Sequence, residues 1–131
     1  MKVIEVVAAV IKNEDKFFIT KRGYGEFIDM WEFPGGKVEA GESREEALHR
    51  EIREELELEI GDLEYLTTVD YNYPNFNLIM HCYVCKIKGG VLKLNAHNDV
   101  KWVTLDEMKD EKWVPADAQV IDNIREKFTS F

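Results

Sequence analysis

Cysteine, proline and long apolar runs are scarce in this chain of 131 residues, and each scarcity excludes something. There are two cysteines, Cys82 and Cys85, in the stretch MHCYVCKI. Positions three apart on a strand face opposite ways, and one pair supplies too few ligands for a closed zinc site. We read both as ordinary reduced strand cysteines. Three prolines make no proline-rich linker, and no low-complexity tract or repeat is present. No apolar run approaches the roughly 18 residues needed to span a membrane. The opening MKVIEVVAAVIKNEDK is interrupted by Glu5 and carries a single early lysine, so it reads as a strand rather than an export signal; the expected location is cytoplasmic. Basic residues are in the minority: 17 Lys and Arg stand against 26 Asp and Glu, a formal charge of −9. That balance argues against a binder of nucleic-acid polymers, which would show a basic patch. It would also oppose any phosphate-bearing substrate unless divalent cations were bound.

What is present suits one compact domain spanning residues 1–131, with 45% hydrophobic residues to build a core. Val3 to Ile11 is β-branched and reads as a strand. A turn at Asn13-Glu14-Asp15 leads to a second strand, Lys16 to Lys21. Arg22 to Glu42 is glycine-rich and irregular, a long loop for so small a domain, and long loops tend to be functional. Ser43 to Leu56 is the clearest helix, with Ser43 and Glu46 forming a capping box. Leu63 to Tyr73 and Leu78 to Lys88 pair across Pro74-Asn75-Phe76-Asn77, and Gly89-Gly90 breaks the chain. Val100 to Val103 is a short strand, and Thr104 begins a short helix. Asp117 to Phe128 has helical apolar spacing and should dock on the sheet. Helices follow strands without strict alternation, which favours a mixed sheet in an α/β domain.

The central helix is unusually acidic. Glu42, Glu45, Glu46, Glu51, Glu54, Glu55, Glu57 and Glu59 fall within 18 residues. Glu51, Glu54 and Glu55 share one face, at i, i+3 and i+4. Leu48, Ile52 and Leu56 fill the adjacent arc, with Glu55 at the border. A carboxylate there is partly desolvated, which is costly without compensation. Arg50 reaches Glu54 at i+4, but one arginine does not balance three acids. A solvated, salt-bridged face is the bland alternative. The position of the acids beside the apolar stripe, after a glycine-rich loop, points instead to hard-cation chemistry on a phosphate ester or anhydride.

Gly36, Glu42, Arg50-Glu51-Ile52, Glu54-Glu55 and Leu58 resemble the Nudix box, G-x5-E-x7-R-E-U-x-E-E-x-G-U, where U is aliphatic. Glu57 stands where the pattern has glycine, at modest expected cost. IEVVAAVI, ITKRGYGEFIDMWEFPGGKVEAGES, DVKWVTLDEM and Pro115-Ala116-Asp117 look like the MutT-like branch, so the resemblance covers nearly the whole chain. It implies an α/β/α sandwich around a mixed sheet. It also implies Mg²⁺-dependent hydrolysis, with Mn²⁺ as a substitute, of modified or surplus nucleoside triphosphates (8-oxo-dGTP or cytosine nucleotides) to monophosphate and pyrophosphate. A catalytically weak nucleotide-binding or regulatory protein of the same fold is the alternative.

By the same resemblance, Glu51, Glu54 and Glu55 would hold metal with the Gly35 carbonyl. Arg50 would orient Glu51, Lys37 would face the phosphates, and Gly36 and Glu42 would support the site. Glu54 could act as base. Arg22 and Asp117 would read the nucleobase. An ionised Asp is acceptor-only and prefers an amino group, which leans toward cytosine; Asp117 reads equally well as a helix N-cap. Tyr73 and Phe76 sit where a base could stack or where a hairpin needs packing. Ala96 stands where MutT-like enzymes commonly carry a glutamate, six residues before Trp102. His97 beside it reads as a surface-loop histidine. The expected partner is a nucleoside triphosphate, with no membrane, and the chain is a monomer or homodimer.

Overall fold

The computed structural model describes residues 1–129. Seven strands form one mixed sheet: β1 (Lys2–Asn13), β2 (Lys16–Arg22), β3 (Trp31–Glu32), β4 (Gly35–Lys37), β5 (Leu58–Tyr73), β6 (Phe76–Gly90) and β7 (His97–Val103). The helices are α1 (Arg44–Leu56), α2 (Leu105–Met108), α3 (Pro115–Ala118) and α4 (Val120–Phe128). The main strand order is β3-β2-β1-β6-β5, with β4 also on β1 and β7 also on β2. β1 and β6 run parallel, from Lys2 beside Phe76 to Ile11 beside Cys85, and the other pairings are antiparallel.

Alternation along β1 builds both layers, because successive side chains leave opposite faces of the pleat. Val7, Ala9 and Ile11 pack with Ala47, Leu48, Ile52 and Leu56 of α1. Ala8 and Val10 face the other way, against Met108, Val120 and Ile124. Helices therefore cover both faces, as the α/β/α reading expects. Cys82 and Cys85 fall in opposite layers, both buried and free. Burial pushes both thiols above their ordinary pKa, away from reactivity.

Several boundaries differ from the sequence reading. The segment from Arg22 to Glu42 is not all loop, because β3 and β4 lie inside it. β5 starts at Leu58 rather than Leu63. Gly89 and Gly90 do not break the chain but continue β6, opposite Glu59 and Leu58. Gly90 has φ +93°, and a Cβ there would meet the Glu57 carbonyl at 2.4 Å, so only glycine lets β6 pass the end of α1. β7 extends back to His97. The helix expected over Asp117 to Phe128 is two pieces, α3 and α4, interrupted at Gln119.

β3 and β4 position the site. β2 pairs with β1 only through Phe18, Phe17 and Lys16, against Ile11, Lys12 and Asn13. Beyond that point the two strands part. β3 takes over the freed edge of β2 at Thr20 and Lys21, and β4 takes over that of β1 at Val6 to Ala8. The Trp31–Lys37 segment thus wedges the sheet open, locked by the Ala9 N–H to the Pro34 carbonyl at 2.8 Å. A fork in a sheet leaves a cleft with backbone on both walls.

Candidate functional site

α1 is fixed before any acid is considered. The Ser43 hydroxyl accepts the Glu46 N–H at 3.1 Å and the Glu46 carboxylate accepts the Ser43 N–H at 2.9 Å, so the expected capping box is formed. Leu48, Ile52 and Leu56 are fully buried, each contributing about 1.5–3 kcal/mol of apolar burial. The helix ends at Glu57, which adopts φ 55°, ψ 36°, the left-handed geometry that glycine would adopt freely.

Arg50 organises the acids. Its Nε and Nη2 grip both oxygens of Glu42, at 2.6 and 2.9 Å. Nη1 donates to Glu51 at 2.8 Å and to Glu54 at 3.1 Å, and Nη2 also donates to the Lys37 carbonyl at 2.9 Å. The Glu42 hydrogen bond leads in holding the Arg50 pKa above its ordinary value. In return, Arg50 pulls Glu42 down to about 2. Glu42 is thus a brace, also accepting the Glu39 N–H at 3.0 Å. Gly36 is required by close approach: a Cβ there would meet the Glu51 carboxylate at 2.3 Å. Gly35 is equally constrained, since its Cβ would lie 1.9 Å from the Val7 carbonyl oxygen.

Glu55 lacks such relief. Its Oε1 is buried without a hydrogen-bond partner. Burial, then the charges of Glu51, Glu32 and Glu54, push its pKa up to about 8, with a backbone bond at Gly35 opposing. Among the described residues, no three acid, His or Cys side chains yet converge on one point. Glu51 and Glu54 turn toward Arg50 instead. Of the three acids expected to hold metal, Glu55 is buried and unpartnered while Glu51 and Glu54 are held by the Arg50 guanidinium. An orphaned carboxylate oxygen, neighbours of the same sign and an all-oxygen donor set fit a hard divalent cation.

Two adjoining hollows share Val6, Arg22, Glu32, Gly35 and Gly36. One, of about 430 Å³, is lined by Glu51, Glu55, Lys37 and His97. The other, of about 130 Å³, is walled by Phe27, Phe33, Tyr73, Phe76 and Asp117. So Glu51, Glu55 and Lys37 stand at one end of the fork and Asp117, Tyr73 and Phe76 at the other, with Arg22 on the shared wall, while Glu54 lines neither hollow.

Asp117 is not the helix N-cap. Val114 holds that position with no side-chain cap, and Asp117 lies within α3. It is delivered by pairing around Trp31, with the Val114 N–H on the Trp31 carbonyl at 2.9 Å. Its Oδ2 accepts the Phe33 N–H at 2.9 Å. Burial first, then Glu32, push its pKa up to about 8. Burial thus favours the protonated form of Asp117, which donates as well as accepts, whereas the ionised form only accepts. Tyr73 is buried against Tyr71, Phe76 and Phe27, and its hydroxyl accepts the Ala116 N–H at 3.0 Å. It is a packed wall that holds α3, whereas Phe76 is only partly buried.

Glu32 and Asn95 escaped the sequence reading. Glu32 accepts from Arg22 Nη2 at 2.6 Å and Nε at 3.2 Å, with its carboxylate 3.5 Å from His97 Nε2. Burial works against its ionisation, yet bonds from His97 and Arg22 hold its pKa below the ordinary carboxylate value. The signal was an acid between Trp31 and Phe33, where solvation is poor. Asn95 donates to the Glu54 carbonyl at 2.8 Å and the Glu57 carboxylate at 3.0 Å, closing the end of α1. His97 is no surface histidine, since its side chain is 4% exposed.

The NUDIX domain family profile matches residues 1–124. The chain belongs to the NUDIX family. The Escherichia coli K12 CTP pyrophosphohydrolase is 33% identical over 123 residues, 93% of this chain and 91% of that protein. The 8-oxo-dGTP diphosphatase of Haemophilus influenzae is 30% identical over 132 residues, covering 99% and 97%. The solution structure of the E. coli ORF135 protein superimposes with TM-score 0.83 at 32% identity, covering 96% of this chain and 91% of that one. This NUDIX protein is accordingly a hydrolase acting on nucleotides, in a family generally dependent on divalent metals. No helix among its described residues is long and apolar enough to cross a membrane.

Proposed function

We propose that this NUDIX hydrolase cleaves nucleoside triphosphates, modified or surplus, to the monophosphate and pyrophosphate with Mg²⁺. The observation that carries the reading is the shared wall of the two hollows. A nucleobase beside Arg22, Asp117 and Phe76 has its phosphates directed toward Lys37 and α1. Glu51, Glu54 and Glu55, with the Gly35 carbonyl, would hold the cation; Mn²⁺ suits the same donors. When bound, it supplies neutralisation of phosphate charge and a more acidic water. Arg50 holds Glu51 and Glu54 in place, Glu42 holds Arg50, and Lys37 takes a phosphate oxygen.

Cytosine is the favoured base. Its N4 amino group donates and its N3 accepts, side by side, and a neutral Asp117 carboxyl both accepts and donates. The resemblance to a CTP pyrophosphohydrolase supports the same choice. The test is a turnover panel with Mg²⁺ over the common dNTPs and NTPs, 8-oxo-dGTP and 5-modified cytosine nucleotides, scoring pyrophosphate against orthophosphate. Pyrophosphate release led by cytosine nucleotides is expected, with Asp117→Asn moving preference toward 8-oxoguanine. Binding without release across the panel would overturn the hydrolase reading in favour of a nucleotide-binding role. Glu54→Gln is expected to lower kcat by about a hundredfold or more, and near-wild-type turnover would remove Glu54 from the site.

A further inference from the structure

The hollow beside α1 is lined by two residues with buried, unpartnered polar atoms. One is Glu55 Oε1, already placed at the cation site; the other is His97 Nδ1. His97 enters from β7 opposite Arg22, where the β2–β7 register slips. The chain on either side is pinned. Asn95 closes α1 as described, and Asn98 donates to Asp29 Oδ1 at 2.8 Å. The imidazole is therefore presented rather than loosely tethered.

Its other nitrogen is spoken for. Nε2 faces Glu32 Oε2, while Arg22 holds Oε1 of the same carboxylate. A carboxylate on one ring nitrogen keeps the hydrogen there and leaves the other nitrogen as a lone-pair acceptor. A buried acceptor without a donor costs about 1–3 kcal/mol, and His97 lines a polar hollow of about 430 Å³, which has room for a water to supply that donor. Glu32, Glu39, Glu51 and Glu55 face the ring's surroundings against Arg22 and Lys37, with the Tyr24 hydroxyl also lining the wall.

We propose that His97 is the proton acceptor for the attacking water, with Glu32 as its positioning residue; this rests on the hydrolase reading above. The water oxygen bonds to phosphorus and its proton passes to His97 Nδ1. The bond from phosphorus to the leaving-group oxygen breaks, and that oxygen keeps the electron pair. The Glu32 carboxylate stabilises the imidazolium, which returns its proton to solvent or to the departing group. Ala96, next in the chain, bears no group that could do this.

The test uses the whole protein with Mg²⁺ and CTP or 8-oxo-dGTP between pH 5 and 9.5. Wild-type kcat is expected to fall on the acid side. His97→Gln is expected to lower kcat about 10²- to 10³-fold, with KM and Mn²⁺ affinity within about threefold, and to lose the acid-side fall. Added imidazole is expected to restore His97→Ala about tenfold, as filling a purely structural gap would not require. Glu32→Gln is expected to shift the acid-side fall while keeping measurable turnover. Four results overturn the proposal: a wild-type profile with no acid-side fall, His97→Gln within about threefold of wild type, a tenfold loss of Mn²⁺ affinity, or reduced kcat without imidazole rescue. Wild-type protein without turnover defeats both this and the hydrolase reading; turnover unaffected in the variants defeats this alone.

Discussion

Glu55 and Asp117 are acids held by burial in a form they would not choose in water. Each has its pKa raised to about 8, so the folded protein keeps protons that the unfolded chain would release. Stability from these two groups is full at low pH and is lost as pH rises through the folded pKa. Glu42, held down at about 2, works oppositely, and its contribution is lost only in strong acid. Metal-free protein is therefore expected to lose thermal stability from roughly pH 5 to pH 8, checked by calorimetry in chelator. Asp117→Asn should flatten part of that decline, because asparagine can accept the Phe33 N–H without an ionisation penalty. Glu55→Gln should raise the metal-free Tm at pH 8 by about 3 °C or more while abolishing the Tm gain that Mg²⁺ gives the wild type. A Glu55→Gln protein still stabilised by Mg²⁺ would move the cation elsewhere.

At the level of elements, the end of α1 shows what sequence could and could not reveal. The start was legible, because Ser43 and Glu46 signal a cap through their own chemistry. The end at Leu56 was legible too, with Glu57 standing where the Nudix pattern has glycine; what was not legible is that Glu57 adopts a glycine's conformation with support from Asn95, 38 residues on. Glu57→Gly should relieve left-handed strain of about 1 kcal/mol, less the lost Asn95 contact. A net gain of about 0.5 kcal/mol in urea denaturation is expected; a loss would mean the Asn95 bond outweighs the strain. Boundaries of β5 and β6 were hidden for the same reason. Gly89 and Gly90 look like breakers locally, and only their pairing with Glu59 and Leu58 makes them strand. The acids of α1 were found from helical spacing, whereas Glu32 was missed because its partners, Arg22 and His97, come from β2 and β7.

For the whole molecule, a mixed sheet was readable from the order of the elements and the apolar stripes of α1 and of the C-terminal helix from periodicity, whereas the α/β/α layers were expected only from the resemblance to the Nudix family. The fork between β1 and β2 was not, because nothing in Trp31 to Lys37 says that two- and three-residue strands will pry a sheet apart. The strand pairing has a kinetic consequence. The parallel ladder joins Lys2 to Phe76 and Ile11 to Cys85, so each β1 residue waits for a partner 74 positions later. During synthesis, the acidic helix and its wedge leave the ribosome well before β6 exists. Until then β1 lacks its parallel neighbour, and the apolar face of α1 has only half a sheet to cover. Long-range parallel pairing forms slowly, so closure of this ladder should set the folding rate. A nascent chain halted before Cys85 emerges would carry the whole acidic helix and yet be open to proteolysis.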